Sequence, residues 1–436
     1  MKRSRLFVLC FPHLGTLDSW LSIINRMNDL SGSLTFTLII PDANIVRSFH
    51  RDNAVVKISN NIFDVVLIHA YDDTWVKYAS VYDSINWSNN NRTKLRLFDI
   101  LQRLKNKRLF YYILIWPLIL LRNSLYKKEF RLESKDINRC ASRADILLYD
   151  IHAENNYMTS DVLQLFESNN KYSLPHALNM LIPQTKLPQF TNVNNKDNIK
   201  VYIHTKFQSR YYDLRYKIGL DKICIAGIPR HEPEWIKTIQ SQSRELPYNF
   251  NDNNTVIVLS RHASNAHLLF NEKMKSVKNI KKIFIDSLSM KVVIKVHPNE
   301  KNSAENIYED VFGLDNYGIT WTYSELHVFA LCKGKRLAIG FNTSVVLDVI
   351  ATGIPCVEYI ESPNNNGKNM TEFSENRLIK RVSNEKELSI FVNKWLQNPN
   401  EISMLSSSTY KEFFPMIDNT SGNIATEILH DNGIHI

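Results

Sequence analysis

Five segments of the chain bring together side chains that can do chemistry. The sharpest runs from Gly340 to Tyr359. There an apolar strand ends near Ile339, a glycine opens the turn, Asn342, Thr343 and Ser344 precede a helical stretch (345–351), and Gly353 stops it. Amide N–H groups and hydroxyls at a helix start bind anions, and the same residues equally serve as an ordinary N-cap. A second segment, 292–298, is a buried strand ending in His297-Pro298, with Lys295 two residues earlier. A strand end is where open α/β sheets bind ligands, and Pro298 bars further pairing. The third, 225–236, runs through Gly227-Ile-Pro-Arg230-His-Glu232, offering a carboxylate beside a histidine and a cation for an anionic substrate. Its acidic residues could equally cap a helix starting at Pro233.

The fourth segment ends in Pro175-His176, and near it stand Asp150 and Glu154 of the Tyr149-Asp-Ile-His-Ala-Glu154 stretch. The fifth, Ser260-Arg261-His-Ala-Ser264, follows a strand and suits a donor phosphate, while His13 lies in the loop after the first strand. Candidate acid or base groups are therefore Glu232, His176, Asp150 and Glu154. Nucleotide contacts fall to His297, Pro298, Thr343, Ser344, Asn342, Arg261 and Lys295, and substrate contacts to Arg230 and His13.

The elements that must position these groups are short apolar runs alternating with helical patterns. Strands are expected at 6–11, 34–40, 65–69, 146–149, 172–174, 201–204 and 223–226, then at 256–259, 283–285, 292–296, 337–339 and 356–359. Continuous Val/Ile/Leu runs mean burial on both faces, hence parallel sheets covered by helices. The helical pattern at 17–27 directly after the first strand makes a βα unit. The Asn-rich stretch 247–254 reads as an interdomain linker. The chain thus divides into an acceptor-side α/β domain (1–246), a nucleotide-binding α/β domain (255–400) and a C-terminal helical segment (401–436).

At 436 residues the chain exceeds a single small module. Its 53 Lys+Arg against 44 Asp+Glu, a formal charge of +9, suggest an anionic partner. Much of the excess gathers at 92–131, flanking the twelve-residue run from Phe110 to Leu121. That run is too short to span a bilayer, which takes about 20 apolar residues, but suits an anionic membrane surface or, equally, a buried core helix. Basic residues clustered on an apolar run do not make a nucleic-acid groove. Five scattered cysteines form no C-x-x-C pair, which favours a reducing cytoplasm, with attachment to the inner face of the plasma membrane.

Taken in order, these motifs resemble the GT-B-fold transferases of bacterial surface polysaccharides. The relevant groups are the capsule and lipopolysaccharide Kdo transferases, the sialyltransferases with His-Pro and Ser/Thr motifs, and the CDP-glycerol glycerophosphotransferases. The resemblance rests on Gly-x-Pro-Arg-x-Glu at Gly227–Glu232, Lys-x-His-Pro at Lys295–Pro298 and Thr343-Ser344 before Gly353-Ile-Pro355. It implies two Rossmann-like domains facing a central cleft. It also implies a phosphate held by His297, Pro298, Thr343 and Ser344, an Arg and acid at Arg230 and Glu232, and a base at His176. Ala177 stands where the glycerophosphotransferases have Gly, and Phe341-Asn342 where they have Asp-Tyr, which favours a CMP-sugar over a polyol-phosphate donor. The implied activity is transfer of a Kdo- or sialic-acid-like sugar from CMP to a surface polysaccharide or lipid-linked acceptor, with no metal or other cofactor. A teichoic-acid-type phosphotransferase, a nucleotide-sugar 2-epimerase and a catalytically silent membrane-associated scaffold are the alternatives.

Overall fold

The computed structural model describes residues 5–10, 14–32, 34–90 (without 44, 47–48, 50–52 and 72–73), 140, 144–152, 162–176 (without 167–169) and 198–263. It further describes 268–361 (without 298–299, 301–305 and 336) and 378–434 (without 403–409, 412–413 and 415–418). His13, Glu154, Pro298 and the basic segment 92–131 lie outside the described residues.

Two sheets organise the chain. The first holds β1 (Arg5–Cys10), β2 (Leu34–Ile40), β3 (Val65–Tyr71), β4 (Thr74–Tyr78), β5 (Ile146–Tyr149), β6 (Asn170–Ser173), β7 (Ile199–Ile203) and β8 (Ile223–Ile225), in the order β4-β3-β2-β1-β5-β6-β7-β8. Only β4 is antiparallel, to β3. The second holds β9 (Thr255–Leu259), β10 (Lys291–Lys295), β11 (Trp321–Ser324), β12 (Ala338–Gly340), β13 (Cys356–Tyr359) and β14 (Lys380–Val382), all parallel, in the order β11-β10-β9-β12-β13-β14. Successive strand residues enter different cores, as a two-residue period requires: Ile146 and Leu148 join one cluster, Leu147 and Tyr149 another. Burial of both faces explains the unbroken apolar runs.

Most expected strands form within a residue or two of their place. The expected strand at 283–285 does not: it lies in a π-helical extension, Lys281–Ser287, of the Phe270–Ile280 helix, with Ile283 and Phe284 buried. A short apolar run fits either structure, and here the preceding helix carries on through it. Three strands escape the sequence pattern. Of these, β4, β11 and β14 are sheet edges, and Trp-Thr-Tyr-Ser or Lys-Arg-Val lacks the continuous apolar signature of a central strand.

The C-terminal segment joins the first sheet's side of the molecule. Its Thr420–Asp431 helix packs on the Leu14–Leu30 helix of the first domain. Tyr202 of β7 donates its hydroxyl to Glu427 at 2.9 Å, Lys200 lies 2.9 Å from Asp431, and Asn432 donates to the Tyr172 hydroxyl at 2.8 Å. The chain therefore crosses to the second domain and returns to the first.

Candidate active site

Each sheet has a point where the strand order reverses, and in open parallel sheets ligands bind beyond the carboxyl ends of the strands there. In the second sheet the reversal falls between β9 and β12. Arg261 follows β9 and donates to the carbonyl of Asn342, which follows β12, so one guanidinium joins both sides of the crevice. Asn342 sits in the left-handed region at φ 44°, and a Cβ on Gly340 would come 2.3 Å from Val346 Cγ1, so glycine is needed for this close turn. Burial lowers the Arg261 pKa, and Glu358 opposes the shift. His297, at the end of β10, is pushed down to about 4 by burial and by Arg261.

A buried carboxylate fixes the His297 loop. Glu300 accepts the His297 N–H at 2.7 Å, the Ser260 hydroxyl at 2.7 Å and the Lys273 ammonium, tying the ends of β9 and β10 to the Phe270–Ile280 helix. Neither Lys273 nor His262, whose ring lies 5.5 Å from that of His297, was among the candidates. The Lys295 ammonium donates to the Leu326 carbonyl at 2.5 Å, on the loop after β11.

The helix after Asn342-Thr-Ser344 also differs from expectation. It spans Val346–Ala351 and takes Val345 as N-cap, with no side-chain cap. Thr343 is buried and its Oγ1 is 3.5 Å from the Val345 N–H, beyond good hydrogen-bonding range. A helix this short carries little dipole, so its hydroxyls and cationic neighbours matter more than its end charge. Ser344 instead lines the opening between the domains.

In the first sheet the reversal falls between β1 and β5. Asp150, fully buried at the end of β5, accepts the backbone N–H of His152 at 3.0 Å and of His176 at 3.1 Å. It also takes His176 Nδ1–H at 2.5 Å. That bond assigns the proton to Nδ1 and leaves the basic lone pair on Nε2. His176 lines the same opening as Ser344 of the other domain.

Two candidates take other partners. Arg230 is 17% exposed and bridges the domains, 2.5 Å from Asp18 Oδ2 in the Leu14–Leu30 helix and 2.9 Å from Asp348 Oδ1 in the Val346–Ala351 helix. With two carboxylates on it, its charge is already matched and it holds the walls together. Glu232 is not part of the opening: it accepts the backbone N–H of Ser421, in the first turn of the Thr420–Asp431 helix. Desolvation raises its pKa, and the Ser421 bonds oppose the shift.

Sequence reading missed the rest of the interdomain network. His231 bonds Asp348 at 2.6 Å and the Tyr410 hydroxyl, and His327 bonds Asp18 at 3.2 Å. Burial opposes ionisation of Asp18 and Asp348, yet their partners win: His327 and Arg230 hold Asp18 low, and Arg230 and His231 hold Asp348 low. Burial pulls His231 down. The signal for Asp18 and Asp348 was a carboxylate on the apolar face of a helix, which has no sequence partner nearby.

No family model and no curated protein matches the chain. Solved structures do. A protein of Listeria monocytogenes assigned as a UDP-N-acetylglucosamine 2-epimerase aligns at TM-score 0.56 and 12% identity, over 100% of this chain and 98% of that one. The UDP-GlcNAc 2-epimerase of Neisseria meningitidis, bound to UDP-GlcNAc, aligns at 0.53 and 10% identity, over 98% and 100%. The wall teichoic acid polymerase TagF (H444N variant) aligns at 0.53 and 10% identity, over 99% of this chain and 89% of that one. The chain has the GT-B fold. In a GT-B protein two Rossmann-like domains face one cleft, and the two strand-order reversals described above are its walls. Among the described residues no helix is long and apolar enough to cross a membrane.

Proposed function

We propose that this GT-B protein is a glycosyltransferase that takes a sugar from a nucleotide donor held on the second domain. The observation that carries the reading is the Asp150–His176 pair, a base of fixed tautomer in the same opening as Ser344 of the facing domain. His176 Nε2 accepts the proton of the acceptor hydroxyl as that oxygen attacks the anomeric carbon. Asp150 stabilises the imidazolium that forms. The bond from the anomeric carbon to the phosphate oxygen breaks, and Arg261, His297 and Ser344 stabilise the charge left on the phosphate. The order of the His-Pro and Thr-Ser motifs supports a CMP-linked acidic sugar, Kdo- or sialic-acid-like, as donor. The acceptor is a surface polysaccharide or lipid-linked saccharide, with the basic segment 92–131 meeting an anionic membrane.

A 2-epimerase acting on a UDP-sugar is the second reading, favoured by the two epimerases among the structural neighbours. Thermal shifts with CMP, CDP, UDP and GDP separate the two. Stabilisation by the cytidine nucleotides, lost in Ser344→Ala and His297→Ala, is expected. Stabilisation by UDP alone, with conversion of UDP-GlcNAc to its C2 epimer, replaces the first reading by the second.

A further inference from the structure

His204, the residue after β7, lines the opening and is 4% exposed. Its Nδ1 is 2.8 Å from the carbonyl of Gly227 and its Nε2 is 3.0 Å from the carbonyl of Pro175. Pro175 immediately precedes His176. Gly227, at φ 77°, begins the turn that leads to Arg230. One imidazole therefore touches the main chain on both sides of the site, the base's loop and the strap that locks the two domains. Its own backbone N–H is fixed by the Gln208 side chain at 2.8 Å, so the ring is held at its root.

The chemistry of its partners sets His204 apart from His152. His152 contacts the hydroxyls of Tyr212 and Tyr216, which donate or accept as the ring requires. Carbonyl oxygens only accept. A neutral His204 supplies one N–H and holds one loop, whereas the imidazolium supplies two and holds both. Burial, with Arg230 and His231 nearby, pushes the ring down to about 4, and the two carbonyls pull the other way. His176 and Asp348 are the other titratable groups around the opening.

We propose that His204 is a positioning residue for His176: the neutral ring is a clasp that donates its one N–H to either the Pro175 or the Gly227 carbonyl and packs against the other, so that the loop of the base and the strap between the domains rest on one side chain. The proposal rests on His176 being the base. Both ring nitrogens of His204 face main-chain carbonyls, so its removal is expected to act on turnover and not on donor binding.

The test uses the full chain with His204→Leu, which removes the ring's N–H, and His204→Gln, whose amide keeps an N–H donor. The ¹⁵N NMR signals of the His176 ring report its tautomer without any turnover. Expected is a loss of the fixed Nδ1–H form in His204→Leu and its recovery in His204→Gln. The kcat of His204→Leu should fall about 10- to 100-fold, the size of effect a misplaced catalytic group produces, with donor affinity unchanged. A His176 tautomer and kcat equal to wild type in folded His204→Leu overturns the clasp. Should His204→Leu not fold, the Gln variant decides: a wild-type His176 signal upholds the clasp and a displaced one overturns it. Absence of transfer in the wild type removes the role of His176 as a base, while the ¹⁵N signals still decide whether His204 holds it.

Discussion

Replacing Arg230 by Met keeps most of its volume and removes the guanidinium that bridges Asp18 and Asp348. At an effective dielectric of about 20, each contact near 3 Å is worth roughly 5 kcal/mol before desolvation is subtracted. Removing one partner of a buried pair costs about 3–5 kcal/mol net, because the remaining charge stays buried. Each carboxylate keeps one histidine, Asp18 with His327 and Asp348 with His231. We therefore expect Arg230→Met to lose about 3 kcal/mol at pH 8, at the lower end of that range. His231 makes this loss depend on pH. Burial, with Arg230 adding to it, holds its imidazole down in the wild type. Without the guanidinium its folded pKa rises relative to wild type, so the variant takes up a proton at a higher pH than the wild type does and gains stability relative to it as pH falls. The deficit should thus shrink from pH 8 to pH 6. Asp18 and Asp348 themselves, with folded pKa values lowered, contribute above the unfolded carboxylate pKa of about 3.9 and lose it only as pH falls further, outside this window. Urea unfolding at pH 8 and pH 6, followed by tryptophan fluorescence, measures both deficits. A two-domain chain can unfold in steps, so the transition that Arg230→Met moves is the one to compare. A deficit under about 1 kcal/mol at pH 8, or an equal deficit at both pH values, refutes the assignment of Arg230 as a buried interdomain tie.

Asp150→Asn should reduce transfer about a hundredfold or more by releasing the His176 tautomer, while nucleotide stabilisation persists in thermal shift. Glu232→Gln keeps an oxygen for the Ser421 N–H and should cost about 1 kcal/mol of stability with transfer retained; transfer abolished with nucleotide binding intact would return Glu232 to the reaction. Glu300→Gln leaves the Lys273 ammonium buried without its carboxylate and should destabilise the second domain by about 3 kcal/mol. It should also weaken nucleotide binding through the His297 loop, and a nucleotide Kd equal to wild type counts against Glu300 as its anchor.

The two-domain α/β plan was legible because parallel strands buried on both faces write themselves as unbroken apolar runs. The strands β4, β11 and β14 were not, since Thr-Trp-Val-Lys-Tyr, Trp-Thr-Tyr-Ser and Lys-Arg-Val carry no unbroken apolar run. Gly353 stopped its helix as expected, at φ 81°, because that requirement is local to the backbone. Its N-terminal counterpart went otherwise: Val345, not a hydroxyl residue, is the N-cap. A Ser/Thr cluster at a strand-to-helix turn has more than one competent geometry, and the close packing of Gly340 against Val346 selects among them.

The sequence by itself determined which residue types stand at strand ends: Asp150, His176, Arg261, His297 and the Thr343-Ser344 pair. Strand periodicity and turn chemistry are properties of neighbouring residues, so these positions can be read from order alone. Only the tertiary structure decided their partners. Arg230 meets Asp18 across 212 positions of sequence, and Glu232 meets Ser421 across 189. The same uncertainty covered His176, whose ring proton is settled by Asp150, 26 residues away on another strand. A charged side chain's function follows from what neutralises it, and in a buried network that neighbour is chosen by packing of distant elements, where sequence spacing carries no information.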